Sequence, residues 1–171
     1  YYPGGLVPAQ SYESIARALA TTGITVAIPV MPLELAVITP NRASEVRTAL
    51  EAAGMTINKF VVGGHSLGGA MAAKYAFSNP VNGLILMGAY SVDDLTGKSF
   101  KVLDLAAEHD GLATVEKVKA GLEKLPPGSS VDVIPGGVHA FFGRYGPQDG
   151  DGNPTVARDV FEKAMLEKLL D

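Results

Sequence analysis

Near its middle the chain reads Lys59-Phe60-Val61-Val62-Gly63-Gly64-His65-Ser66-Leu67-Gly68-Gly69-Ala70. The apolar run Phe60–Val62 predicts a short buried strand, and the small residues after the serine predict a helix. Between them, Gly64-His65-Ser66-Leu67-Gly68 matches the pattern Gly-x-Ser-x-Gly, in which a sharp turn lifts a serine out of a sheet. Glycine suits both ends of this pattern, because a side chain at either position would collide with the turn. The segment therefore predicts a strand, a strained turn and a helix in succession.

The predicted turn gives Ser66 the surroundings of a nucleophile. Its hydroxyl would stand near the first turn of the helix, where free N–H groups carry partial positive charge. The N–H of Leu67 would be placed to bind an oxyanion that develops on a substrate. A glycine-rich turn with an incidental serine is the alternative interpretation. The flanking strand and helix favour the catalytic one, because they are the context that the motif requires.

Composition narrows the class of protein. The chain has 171 residues, of which 47% are hydrophobic and 19% charged, so we expect one globular domain over residues 1–171. The net charge of −4 without a basic block argues against nucleic-acid binding. The absence of cysteine excludes disulfides and thiolate metal sites, and no apolar run predicts a membrane span. Neither the compartment, cytoplasmic or secreted, nor the oligomeric state follows from these features.

Apolar and amphipathic segments alternate along the whole chain. Together they predict a mostly parallel sheet of about six strands, covered by helices on both faces in three layers. Residues 1–6 are expected to be the end of a strand that runs into a glycine loop, and further strands are expected at 24–30, 60–62, 81–87, 100–106 and 131–134. Helices are expected near 11–23, 39–54, 70–77, 112–125 and 154–170. Only about a dozen residues separate the strands at 81–87 and 100–106, which is too few for a cap domain.

A nucleophilic serine needs a base, and the base needs an acid to orient it. Of the three histidines, His65 adjoins the serine, and we expect its side chain to point away from Ser66. His109 and His139 each follow a predicted strand. In a parallel sheet, loops after strands meet at the carboxyl edge, so Ser66, Asp110 and His139 are expected together there. Their order along the chain is the order found in α/β-hydrolases.

The acid has alternatives. Glu108 lies in the same loop as Asp110 and is the second choice, whereas Asp104 lies within its strand. Asp93 and Asp94 follow the preceding strand and are more remote. Asp110-Gly111 could also be a plain turn, which this dipeptide often marks.

With these residues in place, the sequence resembles the α/β-hydrolases, and among them the compact, lidless dienelactone-hydrolase-like group. The matching segments cover most of the chain: Tyr2-Pro3-Gly4-Gly5, Gly64-His65-Ser66-Leu67-Gly68-Gly69, His109-Asp110-Gly111-Leu112 and Gly137-Val138-His139-Ala140. The resemblance implies Ser66 as nucleophile, His139 as base and Asp110 as acid. It also implies a second oxyanion donor from the glycine loop, the Gly5 N–H or alternatively that of Leu6.

The sequence departs from that family in three respects. Its early loop has Pro3-Gly4 where His-Gly is common, which removes a polar side chain. Dienelactone hydrolases proper use a cysteine nucleophile, so the lack of cysteine argues against dienelactone as the substrate. The family's sheet also usually has two strands before the glycine loop, and we expect them to be missing because no residues precede Tyr1 here.

Two further parts of the chain are candidate sites. Asp149-Gly150-Asp151-Gly152-Asn153 imitates the start of a calcium loop, but Pro154 and Val160 stand where glycine and glutamate are needed. A solvated turn that caps the last helix is the favoured interpretation. A substrate pocket is expected around Leu6, Met31, Phe141 and Phe142. Tyr1, Tyr2 and Tyr145 are further candidates, although aromatic residues more often serve packing.

The first functional hypothesis is a serine hydrolase that cleaves short-chain carboxylic esters without a metal or organic cofactor. A thioesterase, amidase or perhydrolase could use the same residues, because a fold does not dictate its substrate. A hypothesis from another class is a ligand-binding or receptor protein on a hydrolase fold, with little turnover. Rapid multiple turnovers of a p-nitrophenyl ester would favour an enzyme, and a single stoichiometric burst would favour a receptor.

Overall fold

The computed structural model describes residues 1–171 and has a four-stranded parallel sheet at its centre. The strands lie side by side in chain order, β1-β2-β3-β4. Their bounds are β1 Val61–His65, β2 Gly83–Met87, β3 Lys101–Ala107 and β4 Val131–Ile134. The helices are α1 Glu13–Ala20, α2 Arg42–Ala52, α3 Leu67–Ser78, α4 Val115–Ala120 and α5 Arg158–Leu170. Short 3₁₀ helices lie at Ala9–Tyr12, Pro32–Glu34, Ala36–Ile38, Gly121–Lys124 and His139–Phe142.

The strand register brings the candidate loops to one edge of the sheet. His65 at the end of β1 pairs with Met87 at the end of β2, and Met87 pairs with Leu105 in β3. All four strands run in the same direction, so their carboxyl ends lie together. The loops that carry Ser66, Asp110 and His139 therefore leave the sheet from the same edge.

Two apolar layers hold the sheet between helices. One contains Leu84 and Leu86 of β2 against the small residues of α3 and against Ala43 of α2. The other contains residues that alternate with these along the strands, such as Met87 and Leu105. It packs them against α1 and α5. Alternation of side chains along each strand thus produces the three-layer arrangement that the sequence predicts.

The predicted count of about six strands is wrong, because two expected strands do not form. Near the start of the chain only Tyr2 pairs with the sheet, in a single parallel bridge to Gly64. Pro3 follows and has no N–H to extend a ladder. The segment Ile24–Val30 is rich in β-branched residues, but it has an irregular conformation and forms no strand. A strand needs a neighbour with free backbone groups, and a single bridged residue does not provide one.

The helices occur where the sequence predicts them, with different ends. Helices α1 and α2 begin after Tyr12 and Asn41 without side-chain caps. The helix expected over 112–125 is α4 followed by a 3₁₀ turn, and α5 begins only at Arg158. Residues 88–100 join β2 to β3 as a short loop, with no cap domain. None of the helices has the length and apolar character that crossing a membrane requires.

Candidate active site

Ser66 occupies the strained turn between β1 and α3. Its φ of 54° and ψ of −127° lie where non-glycine residues are rarely found. Its N–H donates to the Met87 carbonyl at 3.0 Å, which fixes the turn against β2. A Cβ on Gly64 would lie 2.5 Å from the Gly68 carbonyl carbon, and one on Gly68 would strike the carbonyl oxygens of Tyr2 and Pro3. Both glycines are therefore required by close backbone packing around the serine.

Asp110 and His139 form a buried pair. His139 Nδ1 lies 2.6 Å from Asp110 Oδ2, and both side chains are almost completely buried. The other carboxylate oxygen, Oδ1, accepts hydrogen bonds from the N–H groups of Leu112 and Ala113 at 2.8 and 2.7 Å. His139 Nε2 has no hydrogen-bond partner. The pair thus holds an oriented imidazole whose second nitrogen is available to accept a proton.

Gly88 shows how closely this pair approaches the serine turn. It follows Met87, whose carbonyl binds the Ser66 N–H. A Cβ added to Gly88 would lie 3.0 Å from Asp110 Oδ2 and 3.2 Å from His139 Nδ1. The structure therefore brings the serine turn, the acid and the imidazole together at the carboxyl edge of β1, β2 and β3.

The alternative acids lie elsewhere. Glu108 is partly exposed, and its Oε2 accepts the Gly136 N–H at 2.8 Å rather than contacting His139. Asp94 accepts from the N–H and hydroxyl of Thr96, and Asp93 belongs to the same loop after β2. Asp104 is buried inside β3 without a hydrogen bond. Of these carboxylates, only Asp110 contacts His139.

The geometry separates the two candidates for the second oxyanion donor. The Leu6 N–H already donates to the Glu34 carbonyl at 2.9 Å, so it is occupied. The Gly5 N–H makes no hydrogen bond within the protein. A Cβ on Gly5 would lie 3.0 Å from Leu67 Cδ2, so the glycine loop lies directly against the start of α3. As the first residue of that helix, Leu67 has no intrahelical acceptor for its own N–H.

Tyr12, which sequence reasoning missed, joins the glycine loop to His65. Its hydroxyl accepts the Gly4 N–H at 2.9 Å and lies 2.8 Å from His65 Nδ1. The ring of His65 lies 4.4 Å from that of His139, between centroids. Burial lowers the pKa of His65 well below its usual value, and the neighbouring His139 acts in the same direction. His65 is therefore a neutral packing and hydrogen-bonding group. No motif in the sequence indicates Tyr12 as its partner, which lies 53 residues away along the chain.

The expected pocket residues are divided between surface and core. Met31 and Phe142 are buried among core side chains and offer a substrate no surface. Phe141 is partly buried beneath the Arg158 guanidinium, which lies 4.5 Å from its ring centroid. Leu6 is 70% exposed and Leu33 is 78% exposed. Leu33 precedes Glu34, whose carbonyl accepts the Leu6 N–H. The apolar surface beside the glycine loop is therefore formed by leucines rather than by phenylalanines.

In the turn at 149–153 the central carboxylate is directed at backbone N–H groups. Asp151 accepts from Gly111, His139, Ala140 and Gly152. Nowhere in the structure do three or more histidines and carboxylates gather in a way that could hold a metal ion. The turn does not cap α5, which begins after Ala157 without a side-chain cap, and Asp151 instead accepts from the N–H groups of His139 and Ala140 at the start of the 3₁₀ helix His139–Phe142.

Comparison with known proteins agrees with this architecture. The sequence model of a family described as the alpha/beta hydrolase family matches residues 1–163. The chain belongs to the α/β hydrolase family. This hydrolase matches no curated protein sequence.

Two solved structures share the fold of this hydrolase. One is assigned to the alpha/beta hydrolase superfamily and comes from Xanthomonas campestris pv. campestris. It has a TM-score of 0.60 and 16% identity, covering 98% of this chain and 95% of its own. The other is RedJ, solved with a polyethylene glycol molecule in its active site. It has a TM-score of 0.62 and 15% identity, with 98% and 89% of the two chains covered. At these identities the likeness concerns the fold alone.

Proposed function

We propose that this α/β hydrolase is a serine hydrolase that cleaves short-chain carboxylic esters through an acyl-enzyme on Ser66. The observation that carries the proposal is the buried contact between Asp110 and His139, with His139 Nε2 unpartnered and the His139 ring 4.4 Å from that of His65, the residue before Ser66. A serine hydroxyl is a weak nucleophile until a positioned base takes its proton, and this arrangement supplies such a base.

Ser66 Oγ attacks the ester carbonyl carbon while His139 Nε2 takes the hydroxyl proton. Asp110 stabilises the imidazolium that forms, and its own position is fixed by the two N–H groups on Oδ1. The carbonyl oxygen becomes negatively charged and accepts hydrogen bonds from the N–H groups of Leu67 and Gly5. His139 then protonates the leaving alcohol. Water, activated by the same histidine, hydrolyses the acyl-enzyme and restores Ser66.

The preference for short acyl chains follows from what surrounds the serine. No cap domain covers the carboxyl edge, and Leu6 and Leu33 are among the few large apolar side chains exposed at or near the glycine loop. Each CH₂ of an acyl chain contributes about 0.8 kcal/mol only when apolar wall removes it from water. Such a wall covers a few carbons, and longer chains extend into solvent.

A panel of p-nitrophenyl esters from acetate to palmitate tests the proposal. We expect multiple turnovers, a kcat/KM maximum at about two to six acyl carbons, and no rise in rate above the solubility limit of the substrate. Ser66→Ala should lower kcat by about 10⁴-fold or more and abolish fluorophosphonate labelling, because the members of such a triad act as a unit. A single stoichiometric burst would indicate a receptor, and a maximum at long chains would contradict the open cleft.

A further inference from the structure

Asp151 lies in the turn after the base loop and belongs to no helix or strand. Its carboxylate is nevertheless bound by four backbone N–H groups. Oδ2 accepts from Ala140 at 2.9 Å, and Oδ1 accepts from His139 at 3.0 Å, Gly111 at 3.3 Å and Gly152 at 2.8 Å. Two of these donors start the 3₁₀ helix that carries His139. A third belongs to the residue directly after Asp110.

Close backbone packing holds this carboxylate in place. A Cβ on Gly152 would strike the His109 carbonyl oxygen, and one on Gly111 would strike the Gly150 carbonyl oxygen. The turn therefore lies directly on the loop that carries Asp110. Neither loop is part of the sheet, so strand pairing alone does not set the distance between the acid and the imidazole.

We propose that Asp151 is a positioning residue that holds the Asp110 loop and the His139 loop at their working separation. The expected effect of Asp151 on catalysis rests on the proposed function. The geometric consequence, an aligned Nδ1–Oδ2 hydrogen bond, is independent of it. A carboxylate suits the role because it is acceptor-only and offers about four lone-pair sites to four donors. An amide in the same place would turn an NH₂ group towards at least one of these N–H groups.

The test compares Asp151→Asn with Asp149→Asn. Asp149 is exposed in the same turn and makes none of the four hydrogen bonds, so the control removes the same charge two residues away. We expect Asp151→Asn to lower kcat on p-nitrophenyl acetate by about 10- to 100-fold with KM within about twofold, because small displacements of catalytic groups reduce rates by such factors. Asp149→Asn should retain the parent kcat. Asp151→Ser, which keeps one acceptor oxygen and whose single O–H can rotate away from these N–H groups, should give an intermediate kcat.

A proton NMR measurement separates this inference from the proposed function. The short hydrogen bond between His139 Nδ1 and Asp110 Oδ2 should give a strongly deshielded proton resonance in the parent protein, absent in Asp110→Asn. In Asp151→Asn or Asp151→Ser this resonance should move upfield or disappear, while Asp149→Asn retains it. An unchanged resonance and a kcat within twofold of the parent in a folded Asp151 variant would overturn the inference. A parent without esterase activity would refute the proposed function and leave the resonance to decide the role of Asp151.

Discussion

The buried carboxyl of Asp104 should make the free energy of unfolding depend measurably on pH. Its side chain is fully buried in β3, and neither carboxylate oxygen has a hydrogen-bond partner. Its neighbours across the sheet are Leu86 and Val131, and the side chains flanking it on the same face of β3 are Val102 and Ala106. Burial raises the pKa of this carboxyl from 3.8 to about 8. The group is therefore protonated and neutral in the folded protein at pH 7.

The sign and size of the effect follow from linkage. Above its ordinary pKa the carboxyl of the unfolded chain is ionised, whereas the folded protein keeps the proton up to about pH 8. The folded state therefore binds more protons between these values, and stability falls as pH rises. Each pH unit removes about 1.4 kcal/mol from the free energy of unfolding, so raising the pH from 5 to 7 removes about 3 kcal/mol. That is a large part of the 5–15 kcal/mol that is typical of a folded domain.

Asp104→Asn isolates this effect, because an amide of nearly the same shape has no proton to lose. Urea unfolding should be followed by far-UV circular dichroism at pH 5, 6 and 7, since the chain contains no tryptophan. We expect the stability of the variant relative to the parent to rise by about 2–3 kcal/mol over this range. Other titrating groups, such as His65, cancel in the difference. Asp132→Asn is the control, because Asp132 lies in β4 with its side chain 41% exposed beside Lys168. A difference for Asp104→Asn that stays constant with pH would refute the argument.

Two further predictions concern the site. Asp110→Asn should lower kcat/KM for a short ester far more than Glu108→Gln, because only Asp110 contacts His139 Nδ1, and the reverse ranking would show that the acid is misassigned. Tyr12→Phe should lower kcat by about tenfold, because the buried Gly4 N–H loses its acceptor and the glycine loop is less firmly held. Unaltered kinetics in a folded Tyr12→Phe protein would restrict Tyr12 to a packing role.

Local signals were sufficient to predict the centre of the fold. The run before Gly63 and the small residues after Ser66 predict β1 and α3 where the structure has them. The strands near 83, 101 and 131 were also predicted, since short apolar runs bounded by loops carry this information. The segment Ile24–Val30 shows the limit of such signals. Its composition favours a strand, but strand formation depends on a partner that composition does not reveal.

The choice between alternatives at the site required distances. Sequence order does not decide between Asp110 and Glu108 as the acid, or between the N–H groups of Gly5 and Leu6 as the second oxyanion donor. The hydrogen bonds in the structure distinguish the members of each pair, because a donor or acceptor that is engaged within the protein is not available to a substrate or a partner side chain. Glu108 is bound by the Gly136 N–H, and the Leu6 N–H is bound by the Glu34 carbonyl. No pattern in the sequence encodes these long-range pairings.

The supports of Ser66 and His139, the proposed nucleophile and base, differ in a way that explains the roles of distant residues. Ser66 lies between β1 and α3, which pack tightly together, so its turn is held by the sheet itself. His139 follows β4, a four-residue edge strand that pairs only with β3. Its loop therefore depends on contacts from later in the chain. Arg158 of α5 donates to the carbonyls of Ala140 and Gly143, at the end of the 3₁₀ helix, and Asp151 binds the N–H groups at its start. A cation at the carbonyl end and a carboxylate at the N–H end match the dipole of that short helix, so both ends of the base segment are fixed by complementary charge.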